Sequence, residues 1–400
     1  MAERLQNVLS HVQSGGNGLA QASAKNPNDV VITMAIRTPL CKARKGALKD
    51  VPTEILILEL LKKTISDSKF DPKLVDEITV GNCQDSSILN KTRLAAITAG
   101  YPVTTTTSVL NRFCSSGLMS VKSVAEGILA GSYNCGIAIG VESMSHGQDS
   151  GDGKIDPEVL KMQAAQDALM PMGWTSENVG RDFNISREKL DEYAAMSFQR
   201  AEYAQKNGLF KDEIIPVRNA TQDDGIRYGT TKESLAKVKP AFPQWGDKTT
   251  GGNASQVTDG AAAVVLMRRS MAEKLGVKII AKYVHCVVSG LEPRIMGIGP
   301  TFAIPKLLDA LKITKEDVDI FEINEAFATM YVYSVEKLGL DKNKVNVNGG
   351  AIAIGHPLGA TGARQIATGL NILRQRNKKY LLTSMCIGSG MGAAAFFVKE

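Results

Sequence analysis

Apolar positions along this chain form two kinds of pattern. Three stretches, 135–139, 261–266 and 394–398, contain only apolar residues and glycine, which is typical of strands covered on both faces. Apolar residues at helical spacing after position 117 predict a buried helix instead: Leu118, Val121, Val124, Ala125 and Ile128. The first probable strand begins at Val30. Buried strands that alternate with such helices predict an α/β fold.

The pattern also repeats at a fixed distance. Three pairs of residues are separated by the same 242 positions: Ile78 and Ile320, Asn82 and Asn324, and Cys114 and His356. In both copies an acidic pair precedes a short apolar strand, and a glycine-containing turn later opens a helix. This echo predicts a duplicated α/β unit in which the reactive residues lie where the two copies meet.

The stretch 150–250 interrupts the first copy. It is more polar and more helical, with a helix predicted over 187–207 that Ser186 caps and Gly208 ends. The sequence therefore predicts a first half over 29–149 plus 251–276, an inserted loop domain over 150–250, and a second half over 277–400. Residues 1–28 differ from the rest and are interpreted as a targeting segment and linker.

Composition excludes several classes of protein. A chain of 400 residues with 44% hydrophobic residues can bury a large core and should form two or three domains. The 47 basic and 41 acidic residues leave a net charge of only +6, spread along the chain, which disfavours nucleic acid as a partner and suits an anionic small ligand. No apolar run reaches the roughly 20 residues that a membrane helix needs.

Cysteine and histidine spacing argues against disulfides and metals. The six cysteines show no paired spacing, so we expect free thiols and a reducing compartment: Cys41, Cys83, Cys114, Cys135, Cys286 and Cys386. Neither His146 nor His285 lies at a spacing that metal sites use, and we predict no metal site.

Three glycine-rich segments each carry a titratable group. Cys114 directly precedes a predicted helix, whose N-terminal dipole favours the thiolate, although a free cysteine can also serve as a small buried hydrophobe. His356 lies between Gly355 and Pro357 and cannot sit in a regular strand; a structural core histidine is the alternative. Cys386 is followed by glycines from Gly388 onward, whose N–H groups can face a carbonyl oxygen. Two thiols and one imidazole indicate a nucleophile, its activator and a separate acid/base.

The spacing of the last glycines excludes one competing reading. Gly388, Gly390 and Gly392 do not follow the G-x-G-x-x-G pattern of dinucleotide-binding turns, and they lead into an apolar strand rather than a helix.

The segments 111–117, 349–362 and 384–390, together with 252–255 and 324–328, resemble the thiolase family, in its peroxisomal 3-ketoacyl-CoA branch. The resemblance runs from about Asp29 to the C-terminus. It implies an acyltransferase with two α/β halves in an α-β-α-β-α arrangement, a shared helical layer, a loop domain that holds CoA, and a homodimer.

The resemblance also implies a role for each matching residue. Cys114 would be the nucleophile, and His356 would take its proton and then help to hold the thioester oxyanion. Asn324 would position a water in that oxyanion site. Cys386 would be the general acid/base, and the N–H groups of Cys114 and Gly388 would form a second oxyanion hole.

Further matches concern the substrate. Ser255 and Arg227 correspond to family residues that touch CoA, and Met172 to one that lines the acyl pocket. Phe113 departs from the family's glutamine beside the nucleophile. CoA and acyl-CoA esters would be substrates, with no cofactor and no metal required.

The implied reaction is thiolytic cleavage of a 3-ketoacyl-CoA by CoA through a Cys114 acyl-enzyme, in fatty-acid β-oxidation. An acetoacetyl-CoA thiolase with a narrow pocket is one alternative, which Pro171 disfavours because such relatives often carry a bulkier ring there. A thiolase-like lipid carrier without activity is another, and the complete set of Cys114, His356 and Cys386 argues against it.

The N-terminus carries a candidate address. Residues at helical spacing share one face: Leu5, Val8, Leu9 and Val12. Arg4-Leu5 followed after five residues by His11-Val12 resembles the N-terminal peroxisomal signal of these thiolases, which implies a peroxisomal protein and an import receptor as partner. A docking helix or a frayed terminus is the alternative.

Overall fold

The computed structural model describes residues 18–147 and 155–400. Its strands are β1 Val30–Arg37, β2 Cys41–Lys42, β3 Glu77–Gly81, β4 Thr106–Leu110, β5 Cys135–Ser143, β6 Thr258–Arg268, β7 Ala281–Gly290, β8 Ile320–Ile323, β9 Tyr380–Ile387 and β10 Met391–Lys399. Its α-helices are α1 Gly18–Ser23, α2 Thr53–Ser68, α3 Ile88–Ala99, α4 Ser116–Ala130, α5 Gln163–Asp167, α6 Met172–Asp182, α7 Arg187–Lys206, α8 Lys232–Ala236, α9 Arg269–Leu275, α10 Pro300–Leu311, α11 Ala328–Lys337, α12 Ala351–Ile354 and α13 Thr361–Gln375.

The order of the strands confirms the duplication. The first half runs β1-β6-β5-β3-β4 and the second runs β7-β10-β9-β8, after which Val345 forms a parallel bridge to Phe321 at the place that β4 has in the first half. In each half the two innermost connections are antiparallel and the outer ones parallel. The apolar runs predicted as strands lie in β5, β6 and β10, and almost every residue of these strands is buried.

The two halves are joined more directly than the sequence suggests. Residues 30–32 of β1 pair antiparallel with residues 281–283 of β7, so one ten-stranded sheet passes through both halves. Only three residue pairs form this junction, and the sheet folds over there so that its two parts enclose a helical layer.

Three hydrophobic cores account for the layers. α2 and α3 cover the outer face of the first half, and α10 and α11 cover the outer face of the second together with α7. The central core contains α4 and α13 packed between both parts of the sheet. The result is the expected α-β-α-β-α arrangement, and the predicted helix stripe from Leu118 to Ile128 is fully buried in its middle layer.

The insertion lies between β5 and β6 and contains α5 to α8. Ser186 caps α7 as predicted, since its side chain accepts a hydrogen bond from the N–H of Lys189. Burial of Leu190, Tyr193 and Phe198 holds this helix against the second half rather than leaving it free.

Part of the predicted linker is helical. Residues 18–23 form α1, where Ala22 is buried and the Ser23 hydroxyl hydrogen-bonds the Tyr380 hydroxyl at 3.0 Å. The small residues of this segment resemble those of a linker. Alanine, however, is also the best helix former, and its small side chain permits the close contact with α10. The proposed signal, residues 4–12, lies outside the described residues. None of the helices that the structure describes is long and apolar enough to cross a membrane.

Candidate active site

A strained turn between β4 and α4 presents Cys114. Phe113 has a φ of +46°, a left-handed conformation that is an outlier for a bulky residue. Its N–H donates to Asn111 Oδ1 at 2.8 Å and its carbonyl accepts from the Ser116 hydroxyl at 2.7 Å, which fixes the turn on both sides. Cys114 therefore stands two residues before the first turn of α4 on a backbone that other residues hold in place.

Cys114 is neutral at rest. Burial raises the pKa of its thiol to about 11, while the main-chain N–H groups of Gly388 and Cys114 itself act to lower it, and the nearby Glu142 carboxylate raises it further. The direction is opposite to the expectation from the helix N-terminus, because desolvation outweighs the dipole here. To act as a nucleophile, this thiol would therefore need a base.

His356 is held by contacts on both sides of its ring. Gly355 has a φ of +99°, and a Cβ there would strike the Thr258 side chain, so this turn requires glycine. The His356 N–H donates to Gln256 O at 3.1 Å, and Nδ1 lies 2.6 Å from Thr361 Oγ1. Because the Thr361 hydroxyl donates its one proton to Pro357 O at 3.0 Å, it accepts from Nδ1–H, and Nε2 keeps its lone pair.

The ring is also neutral. Burial lowers the pKa of His356 to about 3, and the Arg364 guanidinium acts in the same direction. Asn324, which directly follows β8, places Nδ2 3.3 Å from His356 Nε2. An uncharged imidazole with an unprotonated Nε2 is the state that can accept a proton from a thiol.

Glycines bring the two reactive turns together. A Cβ on Gly117 would lie 2.5 Å from Gly359 O, and a Cβ on Gly362 would strike the backbone of Leu118, so α4 and α13 approach at backbone distance. The Glu142 carboxylate accepts from Cys83 N at 3.0 Å and from Gly359 N at 2.9 Å, which links the first half to the turn after His356.

Cys386 is the second thiol of the site. It lies on β9, is 2% exposed, and packs in a small apolar cluster with Met296, Ala326 and Met330, against which Met172 of the insertion rests. Burial raises the pKa of Cys386 far above its usual range, and the proximity of Cys114 raises it further. Gly388, two residues after Cys386, has the main-chain N–H that acts to lower the pKa of Cys114.

The predicted substrate residues lie at different distances from this centre. Met172 touches the Cys386 cluster directly. Ser255 N donates to Ala326 O at 3.0 Å, two residues from Asn324, so Ser255 borders the site. Arg227 is exposed on the insertion, where it donates to Gly251 O at 2.7 Å and stacks over the Phe198 ring.

Two residues of the site escaped sequence analysis. Thr361, whose hydroxyl lies against His356 Nδ1, opens α13 five residues after His356, and only the structure shows that this hydroxyl is buried. Glu142 lies one residue before the end of the apolar strand β5, where a buried carboxylate is expected only if it has partners. Within the described ranges, no three His, Cys, Asp or Glu side chains converge as a metal site would require.

Family models match nearly all of the chain: the thiolase N-terminal domain over residues 30–270 and the thiolase C-terminal domain over residues 277–399. The chain belongs to the thiolase family. It is 48% identical to the peroxisomal 3-ketoacyl-CoA thiolase of Yarrowia lipolytica, with 100% of both chains covered. It is 46% identical to the peroxisomal 3-ketoacyl-CoA thiolase of Homo sapiens, with 99% of both covered.

Solved thiolases share the fold. The dimeric peroxisomal thiolase of Saccharomyces cerevisiae has a TM-score of 0.90 at 44% identity, covering 95% of this chain and 100% of that one. Human mitochondrial 3-ketoacyl-CoA thiolase in complex with CoA has a TM-score of 0.85 at 36% identity, covering 94% and 98%. A further structure of the yeast enzyme is described as five-layered, with two core domains of identical topology.

Proposed function

We propose that this chain is a peroxisomal 3-ketoacyl-CoA thiolase, which cleaves a 3-ketoacyl-CoA with CoA to acetyl-CoA and an acyl-CoA two carbons shorter. The observation that carries the proposal is the pair of neighbouring thiols, Cys114 and Cys386, together with a neutral His356 whose Nε2 carries no proton and whose turn meets the start of α4 at backbone distance. Full-length identity of 48% with a peroxisomal 3-ketoacyl-CoA thiolase supports the substrate class and the compartment.

In the first half-reaction Cys114 Sγ attacks the 3-keto carbon while His356 Nε2 takes the thiol proton. The Cα–Cβ bond breaks, Cys386 gives its proton to the acetyl-CoA enolate, and the acyl group stays on Cys114 as a thioester. A histidine with a pKa near 3 holds a proton only briefly. The transfer is therefore coupled to the negative charge that develops on the substrate oxygen beside Asn324 and His356.

In the second half-reaction the Cys386 thiolate takes the proton of the incoming CoA thiol. The CoA sulfur attacks the acyl thioester, the shortened acyl-CoA leaves, and the proton returns from His356 to Cys114. The N–H groups of Cys114 and Gly388, both of which act to lower the pKa of the Cys114 thiol, would hold the oxyanion of this step. The route uses no metal and no redox cofactor, and CoA enters as a substrate.

The surroundings of Cys386 suit an acyl chain of variable length. Met172, Met296 and Met330 meet beside the acid/base thiol, and flexible thioethers adapt to different shapes. Ser255 borders the same site, and Arg227 offers a cation on the outer side of the insertion for the nucleotide end of CoA. A rigid narrow pocket would instead favour acetoacetyl-CoA.

Assembly and targeting extend the proposal. The chain forms a homodimer, as its S. cerevisiae neighbour does. Arg4 and His11 belong to a signal that a peroxisomal import receptor reads. Fusing residues 1–25 to a fluorescent reporter tests this: the fusion should enter peroxisomes, and replacing Arg4 and His11 by Ala should leave it in the cytosol. Peroxisomal import of the double variant would contradict the assigned address.

The central experiment is thiolysis of 3-ketoacyl-CoAs from C4 to C16, followed by loss of their enolate absorbance, with C114S as the inactive control. We expect cleavage of C8 and C12 at a kcat/KM equal to or above that of C4. If C4 exceeds both by more than roughly tenfold, or about 1.4 kcal/mol in transition-state binding, the acetoacetyl-CoA alternative replaces the proposal.

A further inference from the structure

Five buried side-chain atoms along one face of β8 lack a hydrogen-bonding partner in the part of the chain that the structure describes. They are Oε1 of Glu322, Oδ1 of Asn324, Nε of Arg364, Oε1 of Gln365 and Oγ1 of Thr383. All five residues are at most 3% exposed. Single unpartnered polar atoms are uncommon in protein interiors, and a group of them indicates bound water.

The contacts place these atoms together. Glu322 and Thr383 are register partners on the parallel strands β8 and β9, and Asn324 follows two residues later on the same face as Glu322. α13 covers this face, because Gln365 Nε2 donates to Glu322 O at 2.9 Å and Arg364 Nη1 donates to Glu322 Oε2 at 2.9 Å. The group therefore adjoins the Asn324 and His356 pair.

Acceptors outnumber donors within the group. The unpartnered oxygens of Asn324 and Gln365 only accept, Arg364 Nε only donates, and the Thr383 hydroxyl can do both. If Glu322 were ionised, its Oε1 would add a third acceptor, and bound water would have to supply every donor except Arg364 Nε and the Thr383 hydroxyl. A proton on Glu322 makes its carboxyl group a donor to the water that bridges to Asn324 Oδ1.

The buried charges around Glu322 favour that proton. Four carboxyl groups and two guanidinium groups, each at most 2% exposed, share this region: Glu213, Asp223, Glu322, Glu325, Arg37 and Arg364. Both Glu213 and Asp223 pair with Arg37 at 2.7 Å. Glu325 is stabilised instead by hydrogen bonds from two side chains and one main-chain N–H.

Of these four carboxyl groups, Glu322 has the fewest contacts that would stabilise a negative charge. Its ion pair with Arg364 uses only one of its oxygens. Burial raises the pKa of Glu322 to about 8, Glu213 and Glu325 raise it further, and Arg364 lowers it. The neutral His356 adds no positive charge on the remaining side.

We propose that Glu322 is a positioning residue that acts in its protonated form, hydrogen-bonding Asn324 Oδ1 through bound water and so holding the Asn324 NH₂ group toward His356. The amide is then fixed before the substrate oxygen becomes negative, and no reorientation is needed during the reaction. The effect on rate rests on the proposed thiolase function, whereas the protonation of Glu322 and the bound water do not.

Protonation is tested without activity. Infrared spectroscopy on the wild-type protein should show the carbonyl stretch of a neutral carboxyl group at pH 7 that disappears above about pH 9, and Glu322→Gln should lack this band at every pH. A high-resolution crystal structure should show ordered water between Glu322 and Asn324. An ionised Glu322 at pH 7, or direct protein contacts for all five atoms, would overturn the proposal.

Positioning is tested by the rate of Cys114 acylation with a 3-ketoacyl-CoA in the absence of CoA. Glu322→Gln keeps a neutral group with a donor and should stay within about threefold of wild type at pH 7, whereas Glu322→Ala should lose roughly tenfold in rate with KM unchanged. Between pH 7 and 9.5 the wild-type rate should show a decrease that Glu322→Gln lacks. Equal losses in both variants would contradict positioning by a neutral group.

Two further variants separate a specific effect on the group from a general loss of folding. Thr383→Val removes one hydroxyl of the group at nearly constant shape and should lower the rate about threefold. Thr33→Val removes another buried hydroxyl without a partner in the described chain, on β1, four strands away from β8, and should change nothing. Loss of activity toward every 3-ketoacyl-CoA with an intact infrared band would refute the proposed function and leave Glu322 protonated.

Discussion

Asn82 and Asn324 occupy equivalent places in the two halves, each directly after the strand next to the outer edge. The Asn82 side chain is fully engaged: Nδ2 donates to Val141 O at 2.8 Å and Glu142 Oε1 at 3.0 Å, and Oδ1 accepts from Asp85 N at 2.8 Å. Asn324 Nδ2 meets His356 alone at 3.3 Å, and its Oδ1 has no partner among the described residues. Duplication makes the two positions equivalent, and the unused hydrogen-bonding capacity of Asn324 is what the proposed catalytic role of this copy requires.

Cys114 and His356 form a second equivalent pair, each in the turn before a helix of the central layer. Burial acts on both in the same way, since it disfavours whichever form is charged. The thiol pKa therefore rises to about 11 and the imidazole pKa falls to about 3. Both groups are therefore neutral, and under the proposed mechanism a proton passes between them only when a substrate supplies the compensating charge.

Cys114→Ser is the strongest test of the roles proposed for Cys114 as nucleophile and His356 as base. A serine hydroxyl is far harder to deprotonate with the same neutral histidine, so turnover and acyl-enzyme formation should fall by about 10³-fold or more. Steady-state thiolysis and mass spectrometry of the trapped acyl-enzyme measure this. Activity above about a hundredth of wild type would remove Cys114 from the role of nucleophile.

Cys386→Ala separates the two thiols. The variant should lose steady-state cleavage by at least about 10²-fold, because the enolate has no proton donor, yet iodoacetamide should still alkylate Cys114. Peptide mapping of the alkylated protein gives the site. If Cys114 no longer reacts, the two thiols do not have separate tasks.

Alanine at the two asparagines sharpens the comparison directly. Asn324→Ala should lower kcat by roughly 10- to 100-fold with little change in stability, since it removes a group that is proposed for the oxyanion site and is only partly hydrogen-bonded. Asn82→Ala should lower the free energy of unfolding by about 1–3 kcal/mol, because the Glu142 carboxylate and the Asp85 N–H lose a partner. Urea unfolding measures the loss of stability, and kcat per folded molecule measures the loss of activity. If both variants lose the same quantity, the two asparagines do not have different roles.

Thr361 contacts the ring of His356, and no equivalent residue contacts Cys114 in this way among the described residues. We expect its replacement to change kcat less than the preceding substitutions do. Thr361→Val keeps the shape but removes the acceptor for Nδ1–H, so the histidine can adopt the other tautomer and kcat should fall about tenfold. Thr361→Ser should restore most of the rate. Nitrogen-15 NMR of the imidazole reports the tautomer, and an unchanged spectrum in the valine variant would exclude the role.

The smallest effect concerns pH and stability. His356 has a pKa of about 3 when folded against an ordinary 6.5, so from about pH 6.5 downward the unfolded chain binds a proton that the folded one does not, and stability falls as pH falls. Cys114 acts at the other end: its pKa of about 11 exceeds the ordinary 9.0, and stability falls as pH rises above about 9.

His356→Asn should therefore reduce the acid-side loss and Cys114→Ala the alkaline-side loss, measured as free energy of unfolding in urea at pH 5, 7 and 9.5. Curves parallel to wild type at all three pH values would show that neither group is neutral by burial.

Much of the fold could be read from the chain. Continuous apolar runs identified β5, β6 and β10, helical spacing identified α4, and Ser186 gave the start of α7. The helix over 18–23 was missed because small residues are compatible with both a linker and a packed helix. The junction of β1 with β7 could not be foreseen, since pairing between distant strands leaves no local pattern.

For the site, the sequence determined the chemistry available: two thiols and one histidine beside glycines, at positions that a duplication makes equivalent. Local conformation and burial pattern are encoded by neighbouring residues, so these could be predicted. Only the tertiary structure decided the ionisation and orientation of those groups, and it reversed the expected direction of the Cys114 pKa. Desolvation, the Thr361 contact and the partners of Asn324 all come from residues far apart in sequence or packed across layers, and no local pattern records them.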